Sequence, residues 1–488
     1  TATLGRDIAI AYDWLYEWLS PADRQMIIEG LDRRAIQPFW QCVADDVWWV
    51  NGRNNWTTCV VGGLGIIGMA LAGDHPESRR LIDFAQPRML KYLEQYGAQG
   101  EFNESVGYAP VTRLPVMYFE ALRYATRGEE NRLAQWPFVE TALWNAYACV
   151  PPGRFMLFGD GRTGRPAELD FLATIAAASQ DSLLQWFYLN YRQDVREEPP
   201  HLPLGFLGFD PSLAATSPTG RLPLGRAFAE HSAILVSRAS WDPQATPCVV
   251  YGKAGIEINH EHHDAGQLCI DGYSDRLIVD PGAPSDYPAD FFGPNRWKYY
   301  NASWLGHNVV TIDGEHMIAP RGACADILAA EFDDQRGGYW QLDLAKFYPR
   351  ATRVVRTVVH ALPGIAVVVD DVVAANDQTL ALRWHTAAPA TLDEHGSFWF
   401  ETSNARLTGQ VTGLATTEVQ VSRGAHQFSP PFHMGRAGAP LEQRREPFIL
   451  VRPASPQARI VTLFAVTPAG ATAKPRGRDG CQRTILQD

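Results

Sequence analysis

The sequence predicts a multidomain α+β protein in which a helical N-terminal domain is followed by a domain of stacked antiparallel sheets. Three observations predict this fold class. The chain has 488 residues, more than one ordinary hydrophobic core accommodates. Apolar residues recur at helical spacing over residues 1–200. After a stretch rich in Pro and Gly at 201–228, residues 229–488 consist of short β-rich segments separated by turn residues.

The helical half is predicted element by element. Residues 6–19 carry apolar positions at helical spacing, and Ser20-Pro21 opens the next helix with a serine N-cap and a proline in the first turn. Further helices are predicted over 57–72, 77–96, 105–127, 132–148, 167–179 and 182–194. The connections between them are short, which favours packing as antiparallel helix pairs.

The β half begins after residues 201–228, which we interpret as a surface linker. Strands are predicted from segments such as SAILVSRAS, PCVVYGKAG, DRLIVDPG, HNVVTIDG, TRVVRTVVHA and IAVVVDDVV. Further strands are expected near 380–386, 397–401 and 448–467. Antiparallel pairing of such segments predicts stacked sheets.

Composition and charge exclude several classes of function. The formal net charge of -11 argues against general nucleic-acid binding. No apolar run reaches the length of a membrane span, so no membrane partner is expected. The seven cysteines, from Cys42 to Cys481, contain no CxxC pair and predict buried thiols rather than a disulfide framework. The start TATLGRD has no signal-peptide pattern, and we expect a periplasmic or secreted protein whose leader is absent from this chain.

The segment INHEHHDAGQLCIDGYSDRLIVDPG carries the strongest functional signal. In a strand, alternate residues share a face, so His260, His262 and Asp264 are expected to project together. Asp280 follows on the next predicted strand, and His307 opens a third. Imidazole and carboxylate are good ligands for Zn²⁺ and similar ions. The segment therefore predicts a metal or catalytic site, although a surface strand with satisfied histidines is the alternative.

Two segments of the helical half offer further polar groups. NGRNNWTT, before a Gly-rich helix, contains Asn54 and Asn55, whose amides can donate hydrogen bonds to a substrate carboxylate. Either asparagine could equally cap the helix. GEFNESVGYAPVTR places Tyr108 near the start of a helix, where a tyrosine more often packs with its hydroxyl satisfied.

Aromatic and basic residues mark a candidate surface for an anionic glycan. RWKYYNASWLGHN mixes aromatic side chains with Arg296 and Lys298, although it could equally be a turn that packs on the core. The residues predicted to bind substrate are Arg53, Arg113, Arg296, Tyr299 and Tyr300. FGDGRTG is a turn signal in which Asp160 could serve only to anchor a loop.

Taken in order, these segments resemble the heparinase II/III-like polysaccharide lyase family, which also includes alginate and oligoalginate lyases. The resemblance covers most of the chain. Its most specific part is the HxHxD…VDPG…HN series, which reads here His260-Glu261-His262-His263-Asp264, Val279-Asp280-Pro281-Gly282 and His307-Asn308. The Asn-rich segment before a helix and the later GY segment also match in order and approximate spacing.

The resemblance implies a fold, an activity and a set of residue roles. Members of the family combine an incomplete α/α toroid with an antiparallel β-sandwich and cleave uronate-containing polysaccharides by β-elimination, which gives unsaturated uronate products. By that likeness, Asn54 or Asn55 neutralises the substrate carboxylate. Tyr108 is the catalytic base or acid, and His260 assists beside it. The metal ligands that the resemblance implies are His262, Asp280 and His307, with zinc the usual ion.

One position departs from the family. Several members have His directly after the Asn, whereas Trp56 follows Asn54 and Asn55 here, so either amide could be the neutraliser.

The C5 proton, α to a charged carboxylate, is weakly acidic, and donors must stabilise the developing enolate. A tyrosine can take that proton or give one to the leaving oxygen.

Three other classes of function remain open. His262, Asp264 and His307 also match the 2-His-1-carboxylate triad of non-haem iron oxygenases. A toroid-type glycoside hydrolase would need two opposed carboxylates. The residues available for that role are Glu101, Glu104 and Asp160. A glycan-binding protein without catalysis is the third alternative.

The sequence leaves the sugar open. An acidic polysaccharide is the expected partner, and heparan sulfate, chondroitin or hyaluronan, alginate and glucuronan all fit. The net charge of -11 slightly favours weakly sulfated or unsulfated chains. The mode of cleavage, endo or exo, and the oligomeric state follow from nothing in the sequence.

Overall fold

Helices are the main elements of the described chain up to Gly208, as the apolar spacing predicts. The computed structural model describes residues 2–162, 167–191, 204–244, 246–256, 260–284, 287–313, 317–318, 322–428 and 445–471. The α-helices are α1 (Ala2–Leu15), α2 (Pro21–Leu31), α3 (Gln37–Ala44), α4 (Gly63–Ala70), α5 (Ser78–Leu93), α6 (Arg113–Ala125), α7 (Phe138–Ala148), α8 (Phe171–Ser179), α9 (Ser182–Tyr191) and α10 (Leu204–Gly208). Turns of 3₁₀ or π-helix lie at Tyr16–Trp18, Asp32–Ile36, Thr57–Gly62, Val106–Thr112 and Arg132–Ala134.

Local sequence explains where the helices begin and how closely they pack. Ser20 caps α2 as predicted, because its Oγ accepts a hydrogen bond from the backbone N–H of Asp23 at 3.2 Å. Gly65 of α4 sits against two neighbouring helices. A Cβ added there would lie 2.6 Å from Ala85 of α5 and 2.7 Å from the ring of Tyr118 of α6. The glycines of GGLGIIG therefore allow α4 to approach its neighbours closely.

Strands are the main regular elements of the described chain beyond Gly225, and two short strands lie before it. They are β1 (Cys149–Val150), β2 (Arg154–Phe155), β3 (Gly225–Ala227), β4 (Ile234–Arg238), β5 (Val249–Lys253), β6 (Gly255–Ile256), β7 (Leu268–Gly272), β8 (Asp275–Ile278), β9 (Val310–Ile312), β10 (Ala323–Cys324), β11 (Asp326–Asp333), β12 (Gly337–Asp343), β13 (Ala351–Ala361), β14 (Ile365–Ala374), β15 (Leu380–His385), β16 (Thr391–Leu392), β17 (Ser397–Glu401), β18 (Ala405–Gly413), β19 (Val419–Gln427), β20 (Arg445–Pro453) and β21 (Gln457–Pro468). The described strand pairs are antiparallel, as in the hairpin of β13 and β14.

Three larger sheets form the β half. An eight-stranded sheet has the order β11-β12-β13-β14-β21-β18-β17-β16, a four-stranded sheet the order β19-β20-β15-β9, and a five-stranded sheet the order β3-β4-β5-β7-β8. The predicted fold class, a helical N-terminal half followed by antiparallel sheets, is confirmed. The domain limits at 200 and 228 stay a prediction.

The five-stranded sheet joins the two halves, because both of its faces are buried. In β4, Ile234 and Val236 belong to the core shared with the helices, whereas Leu235 belongs to the core shared with the other sheets. In β5, Val249 faces the helical core and Val250 the other one. This double burial explains why these strands are continuous apolar runs rather than alternating patterns.

The segment predicted as a surface linker contains ordered structure in its described part. Helix α10 and strand β3 both lie within residues 201–228. Leu204 is buried, and its carbonyl accepts a hydrogen bond from Thr174 Oγ1 of α8 at 3.3 Å.

Six cysteines are free thiols among the described residues. No described helix has the length and apolar character needed to cross a membrane.

Candidate active site and metal centre

Asn54 and Asn55 begin the helical segment that leads into α4, and their backbones are held in different ways. The Asn54 side-chain oxygen accepts a hydrogen bond from the Trp56 backbone N–H at 3.1 Å, the turn that a capping asparagine makes. The backbone N–H of Asn55 donates to Glu104 Oε1 at 2.5 Å. Neither side-chain amide nitrogen has a hydrogen bond to another described residue, but only Asn55 is linked to Glu104, which lies beside His260.

Tyr108 lies in the 3₁₀ turn Val106–Thr112 and meets residues of the β half. Its ring is stacked on the imidazole of His260, with 3.4 Å between the ring centroids and 11° between the planes. Its hydroxyl lies 3.1 Å from the hydroxyl of Tyr287. Burial raises the pKa of Tyr108, and the hydrogen bond with Tyr287 offsets part of that rise. Tyr108 is therefore a neutral phenol at neutral pH.

The predicted strand through His260, His262 and Asp264 is wrong, because this segment is an irregular loop before β7. His260 has a φ of 62°, which lies outside the β region of backbone conformations. Its carbonyl accepts a hydrogen bond from the backbone N–H of Asp160 at 2.8 Å rather than from a neighbouring strand. His260 and His262 nevertheless converge, through a shared partner instead of a shared strand face.

That shared partner is Asp160, which is buried in the FGDG turn. Its carboxylate lies 3.0 Å from His260 Nδ1 and 2.9 Å from His262 Nε2. Arg296 Nη2 donates to both carboxylate oxygens, at 3.1 and 3.2 Å. Burial by itself would raise the pKa of Asp160, but the hydrogen bonds from both imidazoles and the charge of Arg296 hold it below the usual range.

Gly159 allows this arrangement to form. Its φ is 56°, and a Cβ added there would collide with the carbonyl oxygen of His260. The FGDG turn, which the sequence marked as a possible loop anchor, thus connects the helical half to the histidine loop of the β half at the candidate site.

His262, Asp280 and His307 form the one candidate metal-binding cluster found among the described residues. All three are buried, and one ligand atom from each lies within 4.8 Å of the others. His307 Nδ1 is 3.0 Å from Asp280 Oδ2. Burial would lower the pKa of His307, but the charge of Asp280 and its hydrogen bond, together with the charge of Asp264, outweigh burial and raise that pKa.

Two buried imidazole nitrogens without a hydrogen-bond partner show that this cluster could hold a metal ion. His262 Nδ1 and His307 Nε2 are buried and lack a hydrogen-bond partner among the described residues. A proton on His262 Nε2, donated to Asp160, leaves a lone pair on Nδ1, the arrangement in which a carboxylate orients a metal-bound histidine. The residues therefore fit a divalent ion, and their N and O donors suit zinc.

Asp264 was predicted to project together with His260 and His262, but its side chain is bound to Lys253. Its carboxylate accepts a hydrogen bond from Lys253 Nζ at 2.7 Å, and Glu261 also binds that ammonium group. Ser232 Oγ donates to Glu261 at 2.5 Å. The side chains of Lys253, Glu261 and Asp264 are fully buried. This cluster fastens the histidine loop to β5.

The three predicted substrate-binding arginines have different environments. Arg53 is exposed. Arg113 forms an ion pair with Glu168. Arg296 is buried and binds Asp160, so it holds the site together rather than presenting its charge to solvent.

The two predicted substrate-binding tyrosines also have partners. The Tyr299 hydroxyl donates to Asp290 at 2.5 Å. The Tyr300 hydroxyl lies 2.8 Å from His385 Nε2, and its ring is stacked on His426 with 3.6 Å between centroids. Neither residue has a described contact with Tyr108, and their roles in substrate binding stay predictions.

Tyr287 is the residue at the site that the sequence did not single out. It lies in the loop after the VDPG segment, where no periodicity or motif marks it. Its ring packs on Phe292 with 4.8 Å between centroids, and its hydroxyl meets Tyr108. Glu104, considered only as a hydrolase acid, contacts both Asn55 and His260: its Oε2 lies 3.9 Å from His260 Nε2.

The geometry bears on the alternative enzyme classes. Asp264 is paired with Lys253 and does not join His262 and His307, so the proposed oxygenase triad is not assembled. The three carboxylates named for a hydrolase, Glu101, Glu104 and Asp160, are at most 2% exposed. Glu104 and Asp160 both face His260, whereas hydrolysis requires two carboxylates on opposite sides of a sugar.

Comparison of the sequence with protein families supports the predicted resemblance. Residues 248–452 match the family described as Heparinase II/III-like, C-terminal. This match includes the HxHxD, VDPG and HN segments and confirms the resemblance that they indicated. No curated protein sequence matches the chain.

Solved structures share the fold of nearly the whole chain. The heparinase III-BT4657 gene product has a TM-score of 0.70 at 12% identity, covering 97% of this chain and 68% of that one. Heparan sulfate lyase HepC from Pedobacter heparinus has a TM-score of 0.64 at 13% identity, covering 96% and 76%. Chondroitin AC lyase of Streptomyces coelicolor A3, in a complex with chondroitin sulphate, has a TM-score of 0.50 at 10% identity, covering 96% and 67%.

These similarities establish a shared fold. The chain spans 60 to 68% of the length of three of the heparinase structures. Two of these are of the heparinase III-BT4657 gene product, and the third is of a HepC mutant. Together with the family match, the fold agrees with the predicted enzyme class, a polysaccharide lyase.

Proposed function

We propose that this protein is a polysaccharide lyase that cleaves a uronate-containing glycosaminoglycan by β-elimination. The observation that carries the proposal is the stacked pair of Tyr108 and His260, with Asn55 tied to the same site through Glu104. Elimination needs a group to neutralise the uronate carboxylate, a base for the C5 proton and an acid for the leaving oxygen. These side chains supply all three without an activated water.

The reaction breaks two bonds and forms one double bond. The C5–H bond gives its electrons to a C4=C5 double bond, the C4–O4 bond breaks, and O4 leaves with a proton. In the proposal, the Asn55 amide donates to the uronate carboxylate and stabilises the charge that develops on it, as oxyanion-hole donors do. This step makes the weakly acidic C5 proton easier to remove.

Tyr108 is the proposed proton-transfer residue. Its raised pKa keeps the phenol protonated, which suits donation to the leaving oxygen. His260 is stacked against it and is oriented by Asp160 through Nδ1, which leaves Nε2 directed toward Glu104. We therefore propose His260 as the group that assists removal of the C5 proton, with Tyr287 orienting the phenol.

The proposed metal ion would be held by His262, Asp280 and His307, and zinc fits the donor set best. When bound, it would supply a positive charge that stabilises the buried carboxylates and links the loops before β7 and β9. His262 is bridged to His260 by Asp160, so the ligand set also fixes the orientation of the proposed catalytic histidine.

A polymer panel tests the function. Purified protein is incubated separately with heparan sulfate, chondroitin sulphate, hyaluronan, alginate and glucuronan, and the ultraviolet absorbance of the unsaturated uronate is followed. A glycosaminoglycan among the cleaved polymers supports the proposal. New reducing ends without unsaturated product would mean hydrolysis and would overturn it, as would the absence of any cleavage.

A further inference from the structure

Two large aromatic side chains lie exposed beside the candidate site. Trp48 is 60% exposed and Trp56 is 49% exposed. Their rings contact each other edge to face, with 5.5 Å between centroids and 63° between planes. Exposed neighbouring apolar groups of this size are unfavourable in water and commonly mark a binding surface.

Packing of the helical core does not require this pair. The segment that carries it is anchored by Trp49, which is 8% exposed and stacks on Phe39 with 6.0 Å between centroids. Val50 is also buried. The neighbouring residues therefore hold the segment in place, and the exposed faces of Trp48 and Trp56 are left for another partner.

The pair lies next to the proposed catalytic groups, because Trp56 is the neighbour of Asn55 in the sequence. Trp56 directly follows Asn55, whose backbone N–H binds Glu104, and Glu104 lies beside His260. Arg53, in the same turn, is exposed and forms no ion pair within the described part of the chain. Two stacking surfaces and an uncompensated cation thus lie next to the amide proposed to bind the uronate.

We propose that Trp48, Trp56 and Arg53 form a sugar-binding subsite for the glycan unit next to the one that is cleaved. This inference rests on the proposed function. The C–H face of a pyranose ring would pack on an indole face, and Arg53 would bind the carboxylate or sulfate of the same chain. The subsite explains how a protein with a net charge of -11 could bind a polyanion. Contact with the indole rings and the positive charge of Arg53 would attract the glycan locally, although the net charge of the protein repels it.

Kinetics with matched variants test the subsite. Trp48→Ala and Trp56→Ala are compared with Trp18→Ala, a control residue that is 86% exposed on the 3₁₀ turn Tyr16–Trp18. We expect each subsite variant to raise KM on the polymer cleaved fastest by roughly three- to tenfold while kcat changes little. Trp56→Phe, which keeps an aromatic face, should recover part of the loss, and all variants should keep the melting temperature of the unchanged protein.

Equilibrium binding separates this inference from the proposed function. Binding of chondroitin sulphate and heparan sulfate is measured for Tyr108→Phe protein with and without Trp56→Ala. If polymer is cleaved but Trp48→Ala and Trp56→Ala leave KM unchanged, the subsite is refuted and the lyase proposal stands. If polymer is bound but never cleaved, weaker binding by the Trp56→Ala protein supports the subsite alone, and equal binding refutes it. No binding of any tested polymer overturns both.

Discussion

The phenol ring of Tyr108 lies flat on the imidazole of His260, with 3.4 Å between the ring centroids. Tyr108 comes from the helical half and His260 from the loop before β7. The proposed active site therefore forms only where the two halves of the molecule meet, a common location for a ligand cleft.

Removing the hydroxyl of Tyr108 should abolish most turnover. Tyr108→Phe keeps the stacked ring but cannot transfer a proton, so kcat should fall by roughly 10²- to 10⁴-fold, the usual loss for a general acid or base. Melting temperature and polymer binding should change little. Tyr124→Phe, at a residue 70% exposed on α6, is the matched control and should keep full activity. Near-normal turnover by Tyr108→Phe protein would refute the assignment.

The two asparagines should differ in their effects. Asn55→Ala removes the amide linked to the His260 site through Glu104 and should lower kcat about as strongly as a lost oxyanion donor, roughly 10²-fold or more. Asn54→Ala removes the hydrogen bond to Trp56 N–H and should act mainly on stability, by about 1 kcal/mol. Steady-state kinetics and thermal melts of both variants check this. The reverse order of activity losses would identify Asn54 as the neutralising residue.

A bound divalent ion should be measurable in protein prepared without chelators. We expect about one equivalent of zinc per chain by elemental analysis, because the ligand set offers one site. His307→Ala should lose the metal and lower the melting temperature, whereas His395→Ala, at a histidine 69% exposed, should do neither. Metal-free protein that melts at the same temperature with and without chelator would contradict the proposed site.

Lys253 should be essential for stability. Lys253→Met leaves Glu261 and Asp264 as two buried carboxylates without their cation, which should cost about 3–5 kcal/mol in the free energy of unfolding. Lys346→Met is the control, because its ion pair with Asp326 is exposed and should contribute at most about 1 kcal/mol. Denaturant unfolding measures both. Equal effects of the two variants would show that the buried cluster is not a stabilising link.

His360 should make stability depend on pH. It is buried, its Nδ1 lies 2.8 Å from Ser237 Oγ, and burial lowers its pKa from 6.5 to about 4. Between these values the unfolded chain binds more protons than the folded one, so stability is complete above pH 6.5 and is lost as the pH falls toward 4. The loss attributable to this group should be about 3 kcal/mol.

The variant His360→Gln should reduce that pH dependence, since glutamine does not titrate. Unfolding free energies measured at intervals between pH 4 and pH 7 check the difference in slope. An unchanged slope relative to the original protein would mean that His360 is not the group responsible. His395→Gln, at an exposed position, should leave the slope unchanged.

The sequence alone determined the division into helices and antiparallel strands, because helical and strand periodicities are local properties of the chain. The family resemblance also pointed to His262, Asp280 and His307, which the structure brings together as a candidate metal site. It further placed Tyr108 and His260 among the candidates. These are features that neighbouring residues or a family pattern encode.

Only the tertiary structure decided how these groups are joined. The sequence pattern predicted a strand through His260, but the left-handed backbone and the bond to Asp160 make it a loop. Asp160, Glu104 and Tyr287 enter the site from segments far away in sequence, and no local pattern reveals such contacts. The contact of Asn55 with Glu104, on which the proposal of Asn55 rather than Asn54 as the neutralising amide rests, is likewise a tertiary contact.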